Sequence, residues 1–147
     1  MLKLIHVAGA VLLLGNVTVT GFWSLFLFFK REAVPFRRVA QAILWADLVF
    51  TVLGGTMLTV SGILMTLRQH LPVFRTPWLF HGIAALTVST LIWLLVLLPD
   101  QWRMERLPPD DDARLRAVFL RWSIAGWMAT GALFYGLWAM VMKPAVG

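Results

Sequence analysis

Four apolar stretches dominate the chain, at residues 4–29, 39–67, 77–98 and 117–142. Each is at least as long as the roughly 20 residues a helix needs to cross the hydrocarbon core of a bilayer. In lipid no water is at hand to bond the backbone, so each stretch must satisfy its own N–H and C=O groups as a helix. The predicted fold class is all-α: a membrane four-helix bundle of up-down topology, with residues 1–147 forming a single transmembrane domain. The second stretch is the longest and is expected to tilt or to project into the headgroups. Pro77 suits a first helical turn and Pro99 a helix exit.

Composition agrees with lipid as the solvent. Hydrophobic residues make up 60% of the chain and charged residues 14%, against about 25% charged in soluble domains, and the mean hydropathy is +0.80. A soluble fold this small could not hide so much apolar surface. The net charge of +6 is explained by basic residues that flank membrane helices and meet anionic headgroups, so no nucleic acid is expected. There is no cysteine, which excludes disulfides, thiolate metal sites and cysteine nucleophiles and leaves His, Met or carboxylate for any metal. The first stretch opens like a signal peptide, with Lys3 ahead of an apolar run. It is too long for an h-region and has no small-x-small cleavage site near its end, so it reads as a helix of the mature protein.

Orientation follows from the basic residues of the short loops. The first loop holds Lys30, Arg31, Arg37 and Arg38 and the third Arg103, Arg106, Arg114 and Arg116, against Lys3, Arg68, Arg75 and Lys143 on the other side. That bias puts the first and third loops in the cytoplasm and both termini outside. Trp78 and Trp138 then lie near the outer interface and Trp23, Trp102 and Trp122 near the inner one. In the third loop Asp110, Asp111 and Asp112 follow Pro108 and Pro109; carboxylates at a helix N-terminus favour its dipole, and this explains them better than a cation site.

An ionisable side chain inside a spanning helix is expensive and therefore a functional candidate. His6, Asp47, His81 and Arg121 qualify. His6 and His81 fall about one turn into the first and third helices from the outer side, with His70 in the outer loop between. Helical spacing puts His6, Gly9, Leu13, Thr20 and Ser24 on one face, with Asn16 at its edge, and His81, Ala84, Ala85 and Val88 on another. Two imidazoles from facing helices at one depth are the arrangement that ligates haem iron. Haem b on His6 and His81 is the leading expectation, with His70 in reserve, although there is no CxxCH motif and an intramembrane His also serves simply to bond a neighbouring helix. Copper is the alternative, on His6, His81 and His70 with Met1, Met65, Met140 and Met142 on the same side; methionine is equally ordinary packing filler.

Asp47 lies roughly two turns in from the cytoplasmic face, and Thr51, Gly54, Leu58, Ser61 and Met65 continue its side of the second helix. Arg121 enters the fourth helix from the same side. A buried charge with a partner is far cheaper than one without, so Asp47 and Arg121 are expected to form a structural ion pair in preference to a proton relay. Small residues four apart, Gly55 and Thr59, Ala85 and Ser89, Ala132 and Gly136, allow close helix approach. No serine-histidine-acid set, P-loop, Rossmann fingerprint or HExxH appears, which argues against hydrolytic and nucleotide-driven functions.

The opening His6-Val7-Ala8-Gly9-Ala10 through Gly15-Asn16, then Thr20-Gly21-Phe22-Trp23, resembles a bacterial family of predicted integral membrane proteins of unknown function. Asp47 with Phe50, Ser61-Gly62, and Ile92-Trp93 leading to Pro99-Asp100-Gln101 look like the same pattern, so the resemblance covers most of the chain and implies the bacterial inner membrane. An outer His followed by small residues on the first helix is more distantly similar to the superfamily of the CopD copper-resistance proteins and the HemJ protoporphyrinogen oxidases. That resemblance implies copper and haem respectively and carries over by position only to His6. The expectations are thus a haem-b-binding membrane protein in electron transfer or haem metabolism, copper handling at the outer face, or a non-catalytic structural or assembly subunit without cofactor. The partners expected are the lipid bilayer and a membrane complex or a second copy of the chain.

Overall fold

The computed structural model describes residues 1–30, 36–108 and 110–143; Arg31 and Pro109, named above, lie outside the described residues. The helices are α1 (Leu2–Phe29), α2 (Phe36–Ala46), α3 (Val52–Arg68), α4 (Pro77–Ile92), α5 (Leu98–Arg106) and α6 (Asp112–Met142). A π-helical turn, Asp47–Thr51, joins α2 to α3, and a second, Trp93–Leu97, joins α4 to α5. The result is four helices long and apolar enough to cross a membrane: Leu2–Phe29, Arg38–Arg68, Pro77–Arg106 and Asp112–Met142. Among the described residues there is no strand.

The third span does not end at Pro99. A proline ring collides with the carbonyl four residues back and offers no N–H, which would stop a regular helix. The wider turn at Trp93–Leu97, directly upstream, relieves that conflict by changing the bonding register before the ring arrives. The helix therefore runs on to Arg106, and Asp100 and Gln101, which an exit at Pro99 would leave in a loop, are fully buried. The fourth span likewise starts earlier than its apolar stretch. Asp111 caps it by accepting from the Arg114 N–H at 3.2 Å, and Asp112 pairs with Arg116 at 2.7 Å, so these acidic residues serve the helix N-terminus as expected.

Packing divides the spans into two hairpins. α1 lies along α3 and α4 along α6, while α3 and α4 make next to no contact. The first seam closes on glycines: the Gly9 backbone sits against Gly54 and Leu58, and Gly54 against Leu13. The second closes on Gly82, Ala85 and Gly136, with Met140 laid over Gly82. The buried face of α4 is Leu79, Gly82, Ala85 and Ser89. It is turned from the expected His81, Ala84, Ala85 and Val88 stripe, and Val88 is exposed. Small residues permit close approach on either of two adjacent faces, and here Gly136 and Met140 of the neighbouring helix select one.

The hairpins meet at the end carrying the first and third loops, here called the basic end. α2 packs on α5 there, the Phe28 and Phe119 rings stack at 3.8 Å, and Ala40, Ile43, Leu97, Met104 and Trp122 complete the core. Trp122 is thus a core residue rather than an interfacial anchor, whereas Trp23, Trp102 and Trp138 are about half exposed. At the opposite end Lys143 lies over the Trp78 ring, 4.9 Å from its centroid.

His70 ends α3. Its φ of 50° is left-handed, its N–H bonds the Leu67 carbonyl, and the Leu71 N–H reaches back to Thr66, the pair of bonds that closes a Schellman motif. Glycine is the usual residue at this position because a side chain costs about 1 kcal/mol in that conformation. His70→Gly is expected to leave the fold intact and to raise thermal stability slightly in detergent, and a lowered unfolding midpoint would mean that the imidazole has a structural partner.

Candidate functional site

Asp47, 5% exposed, opens the first π-helical turn. One carboxyl oxygen accepts from Asn16 Nδ2 of α1 at 2.8 Å and the other from Gln101 Nε2 of α5 at 2.7 Å. Asn16 also donates to Thr51 Oγ1 at 3.1 Å. The Trp93 indole, at the start of the second π-helical turn, faces the same carboxyl with its N–H short of hydrogen-bond geometry. One buried carboxyl thus ties three spans together where both irregular turns meet. Such turns are frequent at functional sites because the extra residue re-aims side chains that a regular helix would point elsewhere.

Arg121 does not pair with Asp47. Its Nε donates to Asp100 Oδ2 at 2.8 Å and its Nη2 to Asp100 Oδ1, and Arg103 adds a third bond to the same carboxylate at 3.0 Å. Adjacent residues of α5 therefore face different neighbours, Asp100 the fourth span and Gln101 the second. Arg121 is not paired as expected because the helix continues through Pro99 and brings the Asp100 carboxylate within its reach. Asp47 meets its need with two neutral amides instead. In a double-mutant cycle the losses of stability in Asp100→Asn and Arg121→Gln are expected to be coupled, and those in Asp47→Asn and Arg121→Gln to add; strong coupling in the second cycle would contradict this pairing.

Above the Asp47 network the hairpins diverge around a cavity of about 400 Å3, within the size range of small-molecule sites. All four spans line it: Leu13 and Thr20 from the first, Asp47, Thr51 and Gly55 from the second, Ser89 and Trp93 from the third, and Trp122, Ser123 and Thr130 from the fourth. The surface is mostly apolar, yet several buried polar groups in it lack partners. Trp93 Nε1, Trp122 Nε1 and Ser123 Oγ have none and are themselves sealed from the open space, whereas Ser89 and Thr130, each 6% exposed, border it. Buried polar groups are nearly always paired, so the three sealed, unpartnered atoms are exceptions in the packing beside the cavity.

The histidines lie away from this cavity. His6 Nδ1 bonds the Leu58 carbonyl at 2.9 Å and Ser61 Oγ at 3.1 Å, within the α1/α3 seam. His81 Nδ1 bonds the Tyr135 hydroxyl at 2.9 Å, within the α4/α6 seam. His70 is exposed in the second loop. Each of the three expected ligands thus has a different setting, and among the described residues no group of three or more His, Asp or Glu side chains is placed to hold a metal ion.

The family model described as "Predicted integral membrane protein (DUF2269)" matches residues 1–144. The chain belongs to that family. It is accordingly an integral, multi-pass membrane protein in contact with the lipid bilayer, as its four spans require. Neither the curated proteins nor the solved structures contain a match. The family adds no activity, so the geometry of the site carries the functional argument.

Asp47 and the small-residue faces are legible in the sequence, whereas Gln101 of the Asp47 network and Trp122, Ser123 and Thr130 beside the cavity are not singled out there. A signal was present: the pattern Ile92-Trp93 to Pro99-Asp100-Gln101 places an acid and an amide just past a long apolar run. Polar residues so close to lipid are informative only if the helix continues through the proline.

Proposed function

We propose that this protein binds a small lipophilic molecule from the membrane in the cavity between its hairpins. The observation that supports this most strongly is the open cavity itself, about 400 Å3 and lined by all four spans, with Thr51, Thr59, Ser89 and Thr130 set into a mostly apolar wall. A cavity meant only for packing would be filled, and a dry apolar void would have no polar lining. The test uses a variant that blocks the cavity without disturbing the helices. A Cβ on Gly55 meets nothing within 4 Å, and Gly55 borders the cavity, so Gly55→Phe fills it. Organic extracts of the purified wild type should hold a lipophile, enriched over bulk lipid, that the folded variant lacks. Identical extracts would overturn the reading.

A second reading is haem b on His6, with copper as the alternative ligand. One observation favours it: the bond from His6 Nδ1 to the Leu58 carbonyl leaves Nε2 with the free lone pair, the way ligating imidazoles are held. His6 would hold the group, and His81, bonded through Nδ1 to Tyr135 in the other seam, would be the second residue to hold it. The bound group would supply one-electron redox chemistry, and the resemblance of the first helix to the CopD and HemJ superfamily points the same way. Protein from haem-supplied cells would then show a Soret band that His6→Ala abolishes; a featureless spectrum without copper would exclude the reading.

A further inference from the structure

We propose that the groove between α1 and α2 binds an anionic phospholipid, with an acyl chain along its floor and the phosphate on the Arg38 guanidinium. The groove has a volume of about 360 Å3 and runs between Val19, Trp23 and Leu27 of the first helix and Val39, Ala42 and Ala46 of the second. It shares only Thr20 with the cavity between the hairpins, and the proposal does not depend on that cavity. The two hydroxyls in its wall are already used within α1: Thr20 Oγ1 donates to the Asn16 carbonyl at 2.7 Å and Ser24 Oγ to the Gly21 carbonyl at 2.8 Å. Neither has a proton left to donate, so the floor meets an occupant chiefly with hydrocarbon. A methylene chain suits such a wall, having no polar group to satisfy and gaining contacts by filling the gap. From Val19 to Leu27 the groove follows about 12 Å of helix axis, most of the roughly 15 Å of one hydrocarbon leaflet.

Arg38 supplies the selection. It is exposed, lines the groove at its basic end, and stands where the second span begins. Arg103, Arg116 and Arg121 are each bonded to a carboxylate. Arg38 has no hydrogen-bond or ion-pair partner among the described residues, and no carboxylate lines the groove. A guanidinium presents a fork of N–H donors that matches two phosphate oxygens. Lys30, exposed at the end of α1, adds a second positive charge at the same end. A headgroup of net negative charge is thereby favoured over a zwitterionic one, whose own ammonium opposes these cations. Trp23, half exposed in the same groove, is the amphipathic ring expected at headgroup level. An apolar floor with one unpaired cation at its membrane-surface end matches an amphiphile with a long apolar tail and an anionic head. The side of a partner helix would fill the floor and leave Arg38 without an anion.

The test is native mass spectrometry of the full chain released from detergent and titrated with dioleoylphosphatidylglycerol or dioleoylphosphatidylcholine. Phosphatidylglycerol is expected to bind at one saturable site about tenfold tighter than phosphatidylcholine. Arg38→Gln should remove that preference. Arg114→Gln, at an exposed arginine of the same end outside the groove, should keep it. Ala42→Phe should abolish the site for both lipids with helix content unchanged, and Val19→Trp, from the opposite wall and 54% exposed, should do the same if the first variant misfolds. Equal wild-type affinities, a preference kept in Arg38→Gln, or one lost equally in Arg114→Gln would overturn the headgroup assignment. Binding unaffected by Ala42→Phe and Val19→Trp would place the lipid elsewhere and overturn the groove. If no lipid is retained and Ala42→Phe instead turns a dimer into a monomer, the groove holds a second copy of the chain and the lipid proposal falls.

Discussion

Replacing Gly9 with alanine should lower the unfolding midpoint of the detergent-solubilised protein by about 5–10 °C, corresponding to about 2–3 kcal/mol. A Cβ at this position would lie 2.7 Å from the Leu58 nitrogen and 2.8 Å from the Gly54 oxygen. Both are backbone atoms, which cannot swing aside as a side-chain tip can, so α1 and α3 would have to separate. Gly54→Ala should behave alike, since its Cβ would meet Leu13 N at 2.8 Å. The controls are Gly15→Ala and Gly131→Ala, where a Cβ meets nothing within 4 Å; there alanine should be neutral or gain up to about 1 kcal/mol from its better helix propensity. Equal midpoints for Gly9→Ala and Gly15→Ala would mean that the α1/α3 seam is not as close as described. Loss at Gly9 should also reach His6, whose ring lies in the same seam within 3.1 Å of where a Gly62 Cβ would be.

The second large effect belongs to Asp47, and it depends on what replaces it. Asp47→Leu strands the Asn16 and Gln101 amide donors in a buried site and should cost about 2–4 kcal/mol, since each orphaned donor carries a desolvation penalty of about 1–3 kcal/mol. Asp47→Asn should cost only about 1 kcal/mol. Its new NH2 would confront one donor amide, but Gln101 Oε1 has no partner, so a flip of that amide offers an acceptor to the new donor. The two substitutions are close in size and differ in hydrogen-bonding capacity, and thermal melts of both variants in one detergent check the order. If Asp47→Asn were as damaging as Asp47→Leu, the carboxyl would have a role that a flipped Gln101 cannot replace, such as a charge-dependent contact with the ligand.

The four spans were legible because membrane thickness imposes a length that sequence shows directly. The stripe from His6 through Gly9, Leu13 and Ser24 was legible for a related reason: polar and small residues in lipid have to face protein, and Gly9, Leu13 and Ser24 are buried against neighbouring spans. The run from Asp47 through Gly54 to Ser61 was equally clear, and all three are buried. What could not be read was the π-helical turn before Pro99, because nothing in Trp93-Leu94-Leu95-Val96-Leu97 announces a change of bonding register. That one irregularity carries Asp100 to Arg121 and Gln101 to Asp47, and so it decides both the ion pair and the buried network. The cavity was not legible either, since periodicity says which residues face inward and not whether the inward space is filled.

The diverging hairpins are proposed to enclose a lipophile site. Photolabelling tests it most directly: a neutral diazirine-bearing lipid analogue is irradiated with the protein in nanodiscs, and the modified residues are mapped by peptide mass spectrometry. Saturable labelling is expected on the cavity wall, at Ser89, Trp93, Trp122 or Thr130, competing with unlabelled lipophile and disappearing in Gly55→Phe. Labelling confined to lipid-facing residues such as Leu95 and Val141, and unaffected by competitor, would contradict it.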